Sequence, residues 1–288
     1  RGLGDVYKRQ VLLTAATLIA FAANSILCRL ALRGEATDPL SFTALRLASG
    51  ALVLLPFLRV PASAAPSRWS PASAVALFAY ALGFSLAYVW LDAGTGALLL
   101  FGAVQVTMIG AGLRAGERPT ALRALGILAA IVGVVVLVAP GVSAPEPIGA
   151  ALMAGAGVAW GIYSLLGRGV PAPTRATARN FLLAAPLGLL ALLARPSTLS
   201  VTTEGALLAV TSGAVTSGLG YVVWYAALRG HSATSAAVVQ LSVPVLAALG
   251  GVAFLSEEAT PRLFAAGALT LGGVLVAVLA RRRAPARR

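Results

Sequence analysis

The amino-acid sequence predicts an all-α integral membrane protein of ten transmembrane helices, built as two inverted five-helix repeats. Three observations carry the prediction: an apolar composition, a division into bilayer-length segments with arginine on alternate connectors, and a weak internal repeat.

Of 288 residues, 59% are apolar and 11% charged, and the mean hydropathy is +0.90. Polar side chains are too few to cover a soluble globule of this size. Residues 124–138 and 263–280 stay apolar around the whole helix rather than along one stripe, as a segment in contact with lipid must. These runs are rich in Ala and Leu and lack the period-two alternation of a membrane barrel.

Crossing about 30 Å of hydrocarbon takes roughly 20 residues of helix. Cutting the chain at its Pro, Gly and Arg clusters yields ten such spans: 11 to 32, 39 to 59, 73 to 91, 94 to 114, 120 to 139, 147 to 167, 176 to 195, 204 to 227, 232 to 255 and 261 to 280. The first, Val11 to Leu32, is too long for a signal-peptide core and lacks a small-residue cleavage site, so it is expected to remain as helix 1. Residues 1–10 do not share the pattern and are set apart as a truncated or foreign end.

The net charge of +13 raises the question of nucleic acid, and the placement of the cations answers it. With an even number of helices, Lys8, Arg9, Arg59, Arg68, Arg114, Arg118, Arg123, Arg168, Arg175, Arg179, Arg229 and the arginine tail fall on one side. Only Arg29, Arg33, Arg195 and Arg262 fall on the other, and Arg46 lies inside a span. Cytoplasmic loops carry such an excess, so both termini are expected in the cytoplasm and the protein in the plasma (inner) membrane. The bilayer is thus the implied partner, and nucleic acid is not.

Sliding the sequence against itself gives matches at an offset of 139 to 140 residues. Phe21, Ser25, Leu27 and Arg29 fall on Trp160, Ser164, Leu166 and Arg168; Gly116-Glu117 falls on Ser256-Glu257, and Gly133-Val134 on Gly273-Val274. The repeats are residues 11–139 and 147–280. Five helices is an odd number, so the second repeat enters the membrane from the opposite side. Inverted repeats of this kind belong to alternating-access transporters with a midplane site.

Four stretches carry a resemblance to a known family: Ser41-Phe-Thr-Ala-Leu-Arg46, Gly116-Glu117-Arg-Pro-Thr120, Tyr221 through Arg229, and Pro244 leading to Ser256-Glu257. The chain resembles the drug/metabolite transporter superfamily, in particular its EamA-type branch. The resemblance implies a ten-helix basket around a central cavity, lined mostly by helices 1, 3, 4, 6, 8 and 9, and export of amino acids or other metabolites. Val104 stands where the second half has Pro244. Helix 1 lacks the membrane-embedded Glu of the four-helix multidrug exporters, which argues against their cationic-drug chemistry.

The chemistry available inside the spans is sparse. The acids lie in connectors or at helix ends, and the single histidine, His231, sits at a helix boundary. No nucleophile and base, carboxylate pair or metal cluster is assembled, so neither an enzyme nor a cofactor is expected, and coupling to protons is expected to be weak or absent. Cys28 reads as a small packing residue. Arg46 has two readings: a bidentate anchor for a substrate carboxylate, or a side chain that snorkels outward or pairs with Asp38 or a helix end.

Asn24, Gln105 and Gln240 offer hydrogen bonds to a small-molecule substrate, or bonds that only hold helices together. Tyr80, Phe84 and Tyr88 share one face of helix 3, Tyr221 and Trp224 with Tyr225 a face of helix 8, and Trp160 with Tyr163 a side of helix 6. These aromatics are expected to line the cavity, whereas Trp69 and Trp90 read as interface anchors. With Arg46 the only central cation, a zwitterionic or neutral solute is expected, with a sugar, nucleotide-sugar or organic acid as the alternative. Gly110-Ala111, Gly126 with Ala130, and Gly250-Gly251 suggest close helix packing; Pro186 and Pro244 suggest kinks; the Glu117 and Glu257 turns suggest caps for helices 5 and 10.

Overall fold

A computed structural model describes residues 3–59, 70–116, 119–141, 144–194, 199–228 and 239–280. The helices are α1 (Leu3–Arg33), α2 (Pro39–Leu54), α3 (Pro71–Ala87), α4 (Ala93–Arg114), α5 (Ala121–Val138), α6 (Pro147–Leu166), α7 (Pro173–Ala191), α8, α9 (Ser242–Leu255) and α10 (Pro261–Ala280). The eighth is continuous but composite: α over Thr203–Thr211, π over Ser212–Leu219, and α again over Gly220–Leu228. Short 3-10 turns, Leu55–Arg59 and Leu192–Ala194, extend α2 and α7. Among the described residues β pairing is limited to one bridge between Thr37 and Val201.

Eight of these segments are long and apolar enough to cross a membrane, and Pro71–Ala87 and Ser242–Leu255 are shorter apolar helices. The outer surface matches: Phe254 is 77% exposed, Leu193 73% and Phe264 68%. Side chains of that size point outward in such numbers where lipid is the solvent.

Local chemistry fixes the helix starts. Asp38 accepts from the Leu40 and Ser41 N–H groups ahead of Pro39, Ser70 from Ser73 behind Pro71, Glu146 from Gly149 behind Pro147, and Thr202 from Gly205. Each supplies an oxygen to donors that no helical carbonyl reaches, and proline in the first turn loses no bond. Thr120 and Thr260 serve α5 and α10 in the same way. The expectation that Glu257 caps α10 is therefore corrected; Glu117 lies outside the described residues, as do His231 and Trp69.

Connectors alternate between two ends. At one, Asp38 N–H donates to Ser200 and Arg262 donates to the Ala139 carbonyl, tying the odd-to-even connectors together. Every acidic side chain described lies at this end: Glu35, Asp38, Asp92, Glu146, Glu204, Glu257 and Glu258. The opposite, arginine-rich end carries Lys8, Arg9, Arg59, Arg114, Arg123, Arg168, Arg175 and Arg179.

Packing repeats between the halves. α3 lies on α6 as α8 lies on α1, α4 on α6 as α9 on α1, and α2 on α8 as α7 on α3. Three helices pack on their own counterparts: α2 on α7, α4 on α9 and, most extensively, α5 on α10. In the α5–α10 seam a methyl added to Gly126 would meet Ala277 N at 2.6 Å, and one added to Gly133 would meet Ala266 O at 2.8 Å. Rising numbers on one helix meet falling numbers on the other, so the pair is antiparallel. The contacts are also reciprocal: a methyl on Gly133 would meet Thr270 N at 2.6 Å, and one on Gly273 would meet Ala130 N at 2.5 Å, pairs related by adding 140 to the residue number in the first half and subtracting it in the second. Glycine lets the two backbones touch. Gly116 (φ 87°) and Ser256 (φ 53°), matched in the sequence, both take the left-handed conformation after their helices.

Some sequence expectations are corrected. α1 reaches back to Leu3, so residues 3–10 continue it. Gly110 faces open space rather than a helix. Pro186 is interior to α7, but Pro244 occupies the first turn of a helix that starts at Ser242, where its missing N–H removes nothing. Gly250 and Gly251 do make close contacts, with Ile26 and with Ala93. Trp90, 44% exposed beside the α3–α4 connector, stands where an interface anchor would.

Candidate substrate cavity

A cavity of about 930 Å³ lies between the two repeats and reaches the α6–α7 connector at the arginine-rich end. α8 shapes one wall. Its π segment is rich in glycine and small hydroxyl residues; Gly218 approaches Val53 of α2 so closely that an added methyl would lie 2.6 Å from it. A π turn widens the helix and re-aims its side chains, a form concentrated at functional sites. Here it aims Ser212, Thr216 and Ser217 at α1 and α2.

Asn24 Oδ1 accepts from the Ser212 hydroxyl at 2.7 Å and from Thr216 at 3.2 Å, and its amide donates to the Tyr80 hydroxyl at 3.5 Å. The Tyr80 oxygen also accepts from Arg46 Nη2 at 3.0 Å, while Arg46 Nε donates to Ser217 Oγ at 3.2 Å. α1, α2, α3 and α8 thus share one buried polar network.

Arg46 is 2% exposed, and its Nη1 has no hydrogen-bond partner. The guanidinium carbon lies 5.1 Å from the Tyr80 ring centre and 5.0 Å from that of Phe84. Cation–π contact at a desolvated site contributes about 2 kcal/mol, whereas removing an ion from water costs several. The aromatic faces therefore offset only part of the burial. Neither alternative for Arg46 as a surface group holds: it does not snorkel, and Asp38 spends its carboxylate on Leu40, Ser41 and Ser200 N–H groups.

An aromatic arc faces the cavity. Trp160 stands 4.8 Å from Tyr80, 5.2 Å from Tyr163 and 5.2 Å from Tyr221, ring centre to ring centre. Phe21, its match in the repeat, meets the same Tyr221 at 5.8 Å and Trp224 at 6.0 Å. These four-to-six-ångström separations, mostly tilted or edge-on, give a rigid apolar wall.

Among the residues singled out from the sequence, Asn24, Tyr80, Phe84, Trp160 and Tyr163 line the cavity, as do Gln105, Tyr221, Trp224 and Gln240. Two do not. Tyr88 is fully buried behind Phe84, with its hydroxyl donating to the Ala93 carbonyl at 3.2 Å, and Arg46 sits one layer behind Tyr80. Sequence reasoning missed Ser212, Thr216 and Ser217, for which the small-polar run from Thr211 to Gly220 was the available signal. It also missed Asn180, whose amide donates to Tyr163 at 3.4 Å.

The acidic end is sealed. Arg29, placed by the sequence reading among the connector cations, is buried in α1 and donates to the Tyr88 and Val89 carbonyls at 2.9 and 3.1 Å. It pairs with Asp92 and Glu257, each at 3.2 Å. Glu257 in turn accepts from Ala93 N–H at 2.8 Å, capping α4 from another connector. Burial pushes the Glu257 carboxyl above its ordinary value near 4.5, against the pull of the Ala93 N–H and Arg29.

A ten-helix membrane protein with a solute-sized polar-aromatic cavity between its halves belongs to the transporter class. The EamA-like transporter family model matches residues 8–139 and again 147–279, and the chain belongs to that family. It is 53% identical over 270 residues to an uncharacterized Pseudomonas aeruginosa protein, covering 93% of each chain. An uncharacterized transporter of Archaeoglobus fulgidus is 30% identical over 280 residues, covering 91% of this chain and 95% of its own. A crystal structure with a TM-score of 0.66 and 24% identity covers 95% of this chain and 99% of its own, a likeness of fold.

Proposed function

We propose that this transporter moves small amphipathic metabolites, amino acids among the classes considered, from the arginine-rich side to the acidic side by alternating access. The observation that carries the reading is the asymmetry of closure: the cavity reaches the α6–α7 connector at one end, while the Arg29–Asp92–Glu257 cluster seals the other. The antiparallel, reciprocal α5–α10 seam supports an inverted repeat about an axis in the membrane plane, so rocking of equivalent parts would exchange the open and sealed ends. The arginine excess supports a cytoplasmic setting for the open end and both termini in the plasma membrane. The export direction follows from loading on that side.

Counterflow in proteoliposomes tests the proposal. Labelled amino acids, sugars and organic acids are screened against the same unlabelled solute inside. Exchange of at least one class above empty liposomes is expected, and Trp160→Ala should reduce it. Flux of none of them sinks the reading.

A further inference from the structure

The cavity has a charge signature. Among the described residues its lining includes Arg168 and Arg175 towards the mouth and no acid, and every described carboxylate sits at the sealed end. Arg46 stands behind Tyr80 with no carboxylate paired to it among the described residues; Asp92 and Glu257 pair with Arg29, and Asp38 accepts from backbone N–H groups. A buried guanidinium is ordinarily paired. The Tyr80 hydroxyl, a neutral acceptor on a ring that lines the cavity, takes one of its donors, and Nη1 is left without any.

We propose that the cargo is a net-anionic organic acid: its carboxylate replaces the Tyr80 hydroxyl on Arg46, engaging Nη1 and Nη2 together, while its apolar body lies against Trp160 and Tyr221. The inference rests on the transport reading above and names the substrate class of the same cavity. Guanidinium and carboxylate match as parallel two-donor and two-acceptor forks. The same surroundings disfavour an ammonium group. Asn24 Oδ1 already accepts two hydroxyl donors, and the faces of Tyr80 and Phe84 that would suit a cation are occupied by Arg46 itself. This reverses the sequence-based expectation of a zwitterionic or neutral solute. It was drawn from the count of central cations, whereas the present inference rests on the absence of an acid beside Arg46 among the described residues. The arginine-rich mouth draws anions inward, and the acidic end favours their departure.

The test is a ligand series with one body and three charges. Calorimetric titration of the detergent-purified full-length chain with 3-phenylpropionate, phenylalanine and 2-phenylethylamine compares net charges of minus one, zero and plus one. Phenylpropionate is expected to bind at least about tenfold more tightly than phenylalanine, with the amine weaker still. Arg46→Gln should bring the three within about threefold of one another, with the anion losing most. The wild-type ranking needs no variant, so a poorly folding Arg46→Gln leaves the test intact. Phenylalanine or the amine binding as tightly as the anion, or no member binding, overturns the inference. The counterflow screen separates the two failures: exchange of zwitterions or sugars but of no net-anionic acid defeats the anion proposal alone, while no exchange of any solute defeats transport.

Discussion

Asn24 illustrates how a single amide organises this molecule. It joins α1 to two hydroxyls of the α8 π segment and to Tyr80 of α3, and those bonds hold Tyr80 where it meets Arg46. Asn24→Ala leaves Ser212 without that acceptor in a buried setting, a loss of about 1–3 kcal/mol. We expect a lower melting temperature in detergent and a counterflow rate reduced by about tenfold, since a 1.4 kcal/mol misplacement already costs that much. If the rate is untouched by Asn24→Ala, Trp160→Ala and Gln240→Ala alike, the cavity is not the route. At this scale the sequence was legible in chemical type and less so in geometry. Tyr80, Phe84 and Tyr88 share a helix face, yet the third is buried at the sealed end, because a shared face says nothing about depth along the cavity. Arg46 stood out in the sequence as a charge inside a span, but only the packing of α3 and α8 shows what surrounds it.

Among the elements, the α5–α10 seam and the α9–α10 connector give separate predictions. Gly273→Ala places a methyl 2.5 Å from the Ala130 nitrogen, whereas at the adjacent Gly272 nothing lies within 4 Å. The first should cost about 1–3 kcal/mol and the second almost nothing, as read from paired melting curves. The connector prediction concerns pH. The Glu257 carboxyl titrates above 4.5 in the folded chain, so the folded state holds the proton more tightly than the unfolded one. Its contribution is fully present below pH 4.5 and is lost as pH rises through the elevated folded value. Melting temperatures across that interval should fall in the wild type and flatten in Glu257→Gln; an unchanged slope would remove Glu257 as its source. The sequence located all ten helices, because bilayer length and connector composition are local properties. It did not show that Glu257 caps α4, nor that α8 carries a π segment, because both depend on which helices meet: the first on α9 and α4, the second on the close approach of α8 to α2.

For the whole molecule, an even number of crossings places the start of α1 and the end of α10 at the same, arginine-rich face. Cys28, the lone cysteine, is completely buried. Cysteines introduced singly at residue 9 and at residue 280 should therefore react with a membrane-impermeant maleimide from the same side in oriented vesicles, against a quiet background. Labelling from opposite sides would refute the topology. The halves were recognisable in the sequence from a few aligned positions such as Phe21 with Trp160 and Gly133 with Gly273. The cavity's charge was not, because it depends on how the described acids and arginines are distributed in space.

The seam in which Gly126, Gly133 and Gly273 let α5 and α10 touch has one more implication. Because each helix is the other's mould, a side chain that grows on one must be answered by a vacancy on the other. Drift in either half is thereby checked by its twin. The two halves are held to a common outline along this line, wherever else their side chains differ.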